Sequence, residues 1–316
     1  MRITCRESPD RCLFPVYNNV FTISIDTVHA ISYSPNEEDV CHLKRGGPVD
    51  RYRKSNRELW DKLTYINANS EMYDLEEFKR GKCTLDEIEV KEVGDVSGKS
   101  LLHLQCHFGQ DTISWARRGA KVTGVDFSGE AVSLARELAE ELGVEAEFIL
   151  SDVYDLPEKL DRKFDVVFTS AGVLVWLPDL KEWGQVIGSL LKPGGAFYIR
   201  EFHPTAYIFD DEDDSGQPRI RYPYFGSEKP LELESIGSYA DKDSDLRSVS
   251  FEWPHSMSDI VNSLIKAGMR IDFLNEFPFT THDSHLFLTR LDSGRWIYRD
   301  NPQSIPFMFS IKATKL

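Results

Sequence analysis

Gly109, Asp126 and Asp152 each follow a short apolar run, and their types and order suit the binding of a nucleoside. Gly109 lies in a turn where the lack of a side chain lets backbone approach a ligand. Asp126 follows it by 17 residues, close to the spacing at which a carboxylate accepts hydrogen bonds from ribose hydroxyls. Asp152, with Val153 beside it, is placed to accept from an amino group such as that of adenine, and Phe127 offers a flat ring to pack on a base. A second group stands farther along, at Ser170 to Val173 with Trp176, and at Glu201 to Pro204. His203 has the side chain whose ordinary pKa suits proton removal near neutrality. Glu201 alternates with it, which puts both side chains on one face of a strand. A hydrogen bond that fixes the turn at Pro204 is an equally good role for His203.

Such residues must be held by strands and helices in alternation, and the chain supplies them. Ser100 to Cys106 is a buried-strand run, followed by a turn through Gly109 and a helical stretch with Ile113, Trp115 and Ala116 that stops at Gly119. Lys121 to Val125 is the next strand. Ser128 caps a helix in which Val132, Ala135, Leu138, Ala139 and Leu142 repeat at helical spacing. Ala146 to Leu150, Phe164 to Ser170 and Ala196 to Phe202 continue as strands. The last two are joined by a helix from Pro178 that stops at Lys192-Pro193-Gly194-Gly195. This alternation predicts a parallel α/β sheet covered on both faces.

The flanks differ from that centre. Residues 1 to 48 show no sustained period and end in the turn-prone Arg45-Gly46-Gly47-Pro48, so they are expected to be a disordered extension that adds little to the fold. Residues 49 to 98 are expected to form a helical cover, with helices near Asn56 to Leu63 and Asp74 to Arg80. Residues 205 to 250 are aromatic and charged without a period, which reads as an insertion on the substrate side. Tyr207 and Tyr239 in it are candidates to line a pocket. A helix over Ser258 to Lys266, a strand over Arg270 to Leu274, an irregular stretch and a final apolar strand over Phe307 to Thr314 complete the chain.

The 316 residues carry 52 acidic against 37 basic side chains, a formal net charge of -15. That balance repels a phosphate backbone and argues against a nucleic-acid partner. The early apolar stretch from Cys12 to Ile31 is broken by Asn18, Asn19, Asp26 and His29 and lacks a basic leader, so neither a membrane span nor a signal peptide is expected. Five scattered cysteines form no CxxC pair, which fits reduced thiols in a cytoplasmic protein. His282, Asp283 and His285 are too short a pattern to predict a metal, and the acidic run Asp210 to Asp214 reads as a solvated loop.

The run Leu101-Leu102-His103-Leu104-Gln105-Cys106-His107-Phe108-Gly109, the Asp126 that ends the second strand, Asp152 and the Leu191-Lys192-Pro193-Gly194-Gly195 turn together resemble the class I S-adenosylmethionine-dependent methyltransferases. The resemblance is close from Gly98 to Pro204 and holds in outline from Ser258 to Thr314. It implies a Rossmann-like, doubly wound, seven-stranded sheet whose last strand is antiparallel, with S-adenosylmethionine as cofactor and a small molecule as methyl acceptor. In that superfamily the first strand is apolar with an acidic residue in it, and a GxGxG loop follows. Here His103 stands at the acidic position and Gln105 and His107 replace the first two glycines, so these three, with Ser170, are carried over as cofactor contacts. A core role fits His103 as well. The resemblance also puts Trp176 near the sulfonium, where an aromatic wall is physically sensible, although packing would explain it too. His203 and Glu201 fall beside the expected methyl position. A nicotinamide-dependent oxidoreductase would need G-x-G-x-x-G after the first strand, which Gln105 to Gly109 does not supply. A non-catalytic S-adenosylmethionine-binding protein would share every binding residue.

Overall fold

A computed structural model describes residues 48–316, together with Pro15, Val16, Asn19 and Val20. The chain divides into two units, Met1–Lys44 and Arg45–Leu316. In the first, β1 (Pro15–Val16) and β2 (Asn19–Val20) pair antiparallel. The expectation of a disordered extension otherwise lies outside the described residues.

The second unit opens with three helices, α1 (Pro48–Ala68), α2 (Leu75–Lys79) and α3 (Glu87–Val93). The sequence left α3 unassigned, yet it carries a capping box: Asp86 accepts from the helix start while Glu89 reaches back to the Asp86 N–H. There follow β3 (Ser100–Leu104), α4 (Gln110–Arg117), β4 (Lys121–Asp126), α5 (Gly129–Glu141), β5 (Ala146–Leu150), a short α6 (Leu156–Lys159), β6 (Phe164–Thr169), α7 (Leu180–Leu190) and β7 (Leu191–Phe202). Ser128 caps α5 as its sequence position predicts, accepting from the Ala131 N–H. After β7 come the hairpin β8 (Leu231–Ile236) and β9 (Arg247–Glu252), then α8 (Met257–Lys266), β10 (Met269–Phe277), the short strands β11 (Phe279–Thr280), β12 (Leu288–Arg290) and β13 (Trp296–Tyr298), and finally β14 (Met308–Lys315).

Seven of these strands form one sheet in the order β10-β14-β7-β6-β3-β4-β5. The five from β7 to β5 run parallel, and β14 enters antiparallel between β7 and β10. The chain moves outward from β3 to β5 and then returns to the other side of β3, so the switch point lies between β3 and β6. Ligands collect beyond the carboxyl ends of the strands at such a place. The Pro193-Gly194-Gly195 turn, read from sequence as the stop between helix and strand, is instead a break in register inside β7. Leu191 already pairs with Phe164, and regular pairing resumes at Ala196 opposite Val166.

Alternation along β3 divides the core between the two faces of the sheet. Leu102 and Leu104 join Trp183, Ile187, Phe197, Leu264 and Phe309 under α7 and α8. Leu101 joins Trp115, Val122, Phe168 and Tyr198 on the other side. A smaller cluster of Phe209, Phe287, Leu288 and Phe307 supports the sheet β11-β13-β12, in a stretch whose sequence shows no period. Among the described residues no helix is long and apolar enough to cross a membrane, and no group of His, Cys, Asp or Glu could hold a metal ion.

Candidate functional site

Beyond the carboxyl ends of β3 to β6 lies a cavity whose walls come from four parts of the chain. The turn after β3 gives Gln105, His107 and Gly109, and the ends of β4 and β5 give Asp126, Phe127, Asp152 and Val153. The loop after β6 gives Ser170 to Val173 and Trp176, while α1 and the loop after it give Arg53, Asn56, Trp60 and Tyr73. Tyr239, from the β8–β9 turn, closes the group.

The turn after β3 is unusual in its backbone. Gln105, His107 and Gly109 have φ of 56°, 51° and 82°, in the left-handed region that costs a non-glycine residue about 1–3 kcal/mol unless its surroundings hold it there. They do hold it. The Gln105 amide donates to the Val173 carbonyl at 3.1 Å, and the His107 backbone N–H donates to Asp126 Oδ2 at 2.8 Å. Gly109 has a structural reason beyond ligand approach, because a Cβ there would lie 2.7 Å from the Phe148 ring. Two polar atoms of the turn remain buried without a partner, Gln105 Oε1 and His107 Nδ1.

Asp126 is 7% exposed. Burial raises its carboxyl to about 6, against the pull of backbone donors at Ser128, His107 and Phe127. Each oxygen takes one of the bonds from Ser128 and His107, which leaves lone pairs for a further donor. Asp152, expected to face an adenine amino group, is held by Arg53 of α1, whose Nε lies 3.0 Å from Oδ2 and whose Nη2 makes a second contact.

Four expected site residues do not line the cavity. His103 is fully buried between Thr112 Oγ1 at 2.8 Å and Ser170 Oγ at 3.2 Å, and burial lowers its ring to about 3. It is a neutral core tether behind Ser170. Glu201 is 1% exposed, and its carboxylate accepts from the backbone N–H groups of Gly172, Val173, Leu174 and Phe202. It builds the loop after β6 and has no free edge for a substrate. His203 turns to Thr205, 2.8 Å from Nδ1, and to Glu276 on β10, 2.8 Å from Nε2. Tyr207 packs near Phe202. Strand alternation sets which residues share a face, but segments distant in sequence decide what they touch: the loop after β6 for Glu201, and Glu276 of β10, about 70 residues downstream, for His203.

The placement of His203 reverses the expectation of a base. His203→Ala is expected to keep full kcat across pH 6 to 9 and to lower stability by about 1–2 kcal/mol, through the lost Thr205 bond. Rate measurements with an identified acceptor, beside thermal denaturation, check both halves.

Sequence reasoning missed the contribution of α1. Arg53, Asn56, Trp60, Thr64 and Asn67 recur three or four residues apart on one helix face. Asn56, Thr64 and Asn67 are buried at 1% or less. Asn56 exchanges two bonds with the backbone of Phe251 in β9, at 2.6 and 2.9 Å, as if it were an added strand residue. A polar stripe flanked by aromatics on a helix was the available signal.

Residues 101–195 match the family model described as a methyltransferase domain. A ubiquinone biosynthesis O-methyltransferase of Aeromonas salmonicida is 34% identical over 117 residues, 36% of this chain and 49% of that one. Its counterpart from Psychrobacter cryohalolentis is 29% identical over 194 residues, 58% of this chain and 70% of that one. The chain thus spans about half the length of the first of these curated relatives. A crystal structure of an S-adenosylmethionine-dependent methyltransferase from Mesorhizobium loti superposes with a TM-score of 0.48 at 19% identity, over 75% of this chain and 100% of that one. The domain match falls on the strands and turns that build the cavity, so residues 101–195 of this chain form a methyltransferase domain.

Proposed function

We propose that this protein transfers a methyl group from S-adenosylmethionine to a small-molecule nucleophile held in the cavity at the switch point. The observation that carries the reading is the set of free acceptor and donor positions in one cavity: the remaining lone pairs of Asp126, with the unpartnered Gln105 Oε1 and His107 Nδ1. These fit a ligand with ribose hydroxyls at one end and both donor and acceptor groups at the other. When bound, S-adenosylmethionine supplies a methyl already activated by the sulfonium.

The residues of the chain would then bind, orient and exclude water. Asp126 would accept from the ribose hydroxyls, Phe127 and Val153 would pack on the base, and Asp152 would reach an adenine amino group on the side that Arg53 leaves open. Trp60, Tyr73, Trp176 and Tyr239 form an aromatic wall, with Trp60 and Trp176 edge to face at 5.4 Å between centroids. Such a wall suits an acceptor with apolar or aromatic surface. His107 lines the cavity, but burial lowers its ring to about 3, so it is neutral and weakly basic. Most of the rate would come from holding the acceptor in line, which can contribute roughly 7–11 kcal/mol. The curated relatives are named as O-methyltransferases, which makes hydroxylated small molecules the first acceptors to screen. The negative net charge argues against nucleic acid as acceptor, and the free thiols of Cys83 and Cys106 fit a cytoplasmic setting.

The test is turnover. Pure protein with S-adenosylmethionine and a panel of hydroxylated, amino and thiol metabolites should yield S-adenosylhomocysteine in proportion to a methylated product. Tight binding of the nucleoside with no product from any of the panel would favour the non-catalytic binding reading.

A further inference from the structure

We propose that Asn67, a residue of α1 that does not itself line the cavity, is a positioning residue that fixes the tautomer of His107, leaving Nδ1–H as a donor for the carboxylate of the bound cofactor's amino-acid end. The proposal rests on the assignment of S-adenosylmethionine to this cavity.

Asn67 is fully buried and all of its amide is engaged. Its Oδ1 lies 2.7 Å from Ser238 Oγ, and its Nδ2 lies 2.8 Å from the Tyr239 hydroxyl and 3.3 Å from His107 Nε2. The contact to Ser238 has the length usual for O–H···O and is short for N–H···O, so the serine hydroxyl donates and the amide oxygen accepts. The two hydrogens of Nδ2 then point at Tyr239 and His107. A donor facing Nε2 requires a lone pair there. The imidazole is neutral, since burial lowers it to about 3, so its one proton sits on Nδ1.

That Nδ1–H is buried and has no partner, a condition that costs free energy unless a ligand relieves it. Gln105, two residues earlier, shows the complementary defect. Its Nε2 is spent on Val173, and Oε1 is left as a buried acceptor without a donor. One spare donor and one spare acceptor on the same turn match a zwitterion, with the carboxylate at His107 and the ammonium at Gln105. The strand order supports that end of the ligand being here. Asp126 and Asp152 place the nucleoside over β4 and β5, so the rest of the molecule extends toward β3 and β6, where this turn stands.

Asn67 also ties three segments together. Through Ser238 and Tyr239 it holds the β8–β9 turn against α1, and Tyr239 in turn contacts the Tyr73 hydroxyl. The cover and the insertion therefore set the donor pattern of a turn that neither of them belongs to.

Nitrogen-15 spectra of the His107 ring in the wild-type protein report the tautomer directly, and Nδ1–H is expected. Asn67→Asp retains the shape and the acceptor for Ser238 but cannot donate to Nε2, so the ring proton should move to Nε2. S-adenosylhomocysteine should then bind about tenfold more weakly, while 5′-methylthioadenosine, which lacks the amino-acid end, should bind as before. A wild-type ring protonated at Nε2, or equal losses for the two nucleosides, would overturn the proposal. If neither nucleoside bound wild-type protein, the cofactor assignment would fail, and with it the proposed role of the donor. The ring spectrum would still decide separately whether Asn67 sets the tautomer.

Discussion

Glu201→Ala is expected to destabilise the protein by roughly 3 kcal/mol or more and to weaken cofactor binding, although Glu201 does not touch the cavity. The wild-type carboxylate sits at the end of β7 and accepts from four backbone N–H groups, those of Val173 and Leu174 at 2.8 and 3.1 Å among them. Burial pushes this carboxyl up from its ordinary range, and the backbone donors pull it back. Removing it leaves several buried donors unsatisfied, each worth about 1–3 kcal/mol, with entry of water recovering part of the loss. Glu201→Gln offers no rescue, since one oxygen becomes an amide group that faces N–H donors. For a domain of this size the melting temperature should fall by roughly 6–12 °C. The same loop carries Ser170 to Val173, and Gln105 is held through Val173, so affinity for S-adenosylhomocysteine should fall along with stability. Thermal denaturation and titration calorimetry measure the two. An unchanged melting temperature would show that the loop is held by something other than this carboxylate.

Asp126→Ala is expected to weaken binding of S-adenosylmethionine by about 1–3 kcal/mol, because ribose hydroxyls lose a charged acceptor. The pH dependence of the wild type gives an independent check. With the carboxyl raised to about 6 by burial, protonation begins to remove acceptor capacity just below neutrality. Ligand hydroxyls stabilise the ionised form, so affinity should climb as pH rises through about 6 and level off above it. The stability of the free protein runs the other way. A carboxyl raised in the folded state contributes stability in full below its unfolded value of about 3.9, and the contribution is lost as pH rises through about 6. Asp126→Ala should flatten the affinity profile. A profile with the same inflection in the variant would assign the titration to another group, and Asp111, whose carboxyl is also raised by burial, would be the next to test.

The centre of the sheet was legible because each of its elements is signalled locally. Apolar runs such as Ser100 to Cys106 have the length of buried strands, and Ser128 and Gly119 mark a helix start and a stop. The places of Asp126, Asp152 and Trp176 in the cavity wall followed from that, since residues after parallel strands share one edge, whereas Gln105 and His107 were implied by the resemblance of their turn to the superfamily's glycine-rich loop. The roles of Glu201 and His203 were not legible. Both lie where a reacting group was expected, but the loop after β6 folds back onto Glu201, and Glu276 of β10 reaches His203. Long-range pairings of that kind leave no trace in the period of either segment. The α1 wall was missed for a different reason. Asn56 and Asn67 are polar residues that would ordinarily face water, and only the arrival of β9 and of the turn at Ser238 buries them.

The assignment of the cavity to S-adenosylmethionine is tested most directly by calorimetric titration of the pure protein with S-adenosylhomocysteine, with NADH in parallel. One equivalent of S-adenosylhomocysteine is expected to bind the wild type saturably, weakened by about 1–3 kcal/mol in Asp126→Ala, with no comparable binding of NADH. Preference for NADH, or binding of S-adenosylhomocysteine that Asp126→Ala leaves unchanged, would contradict that assignment.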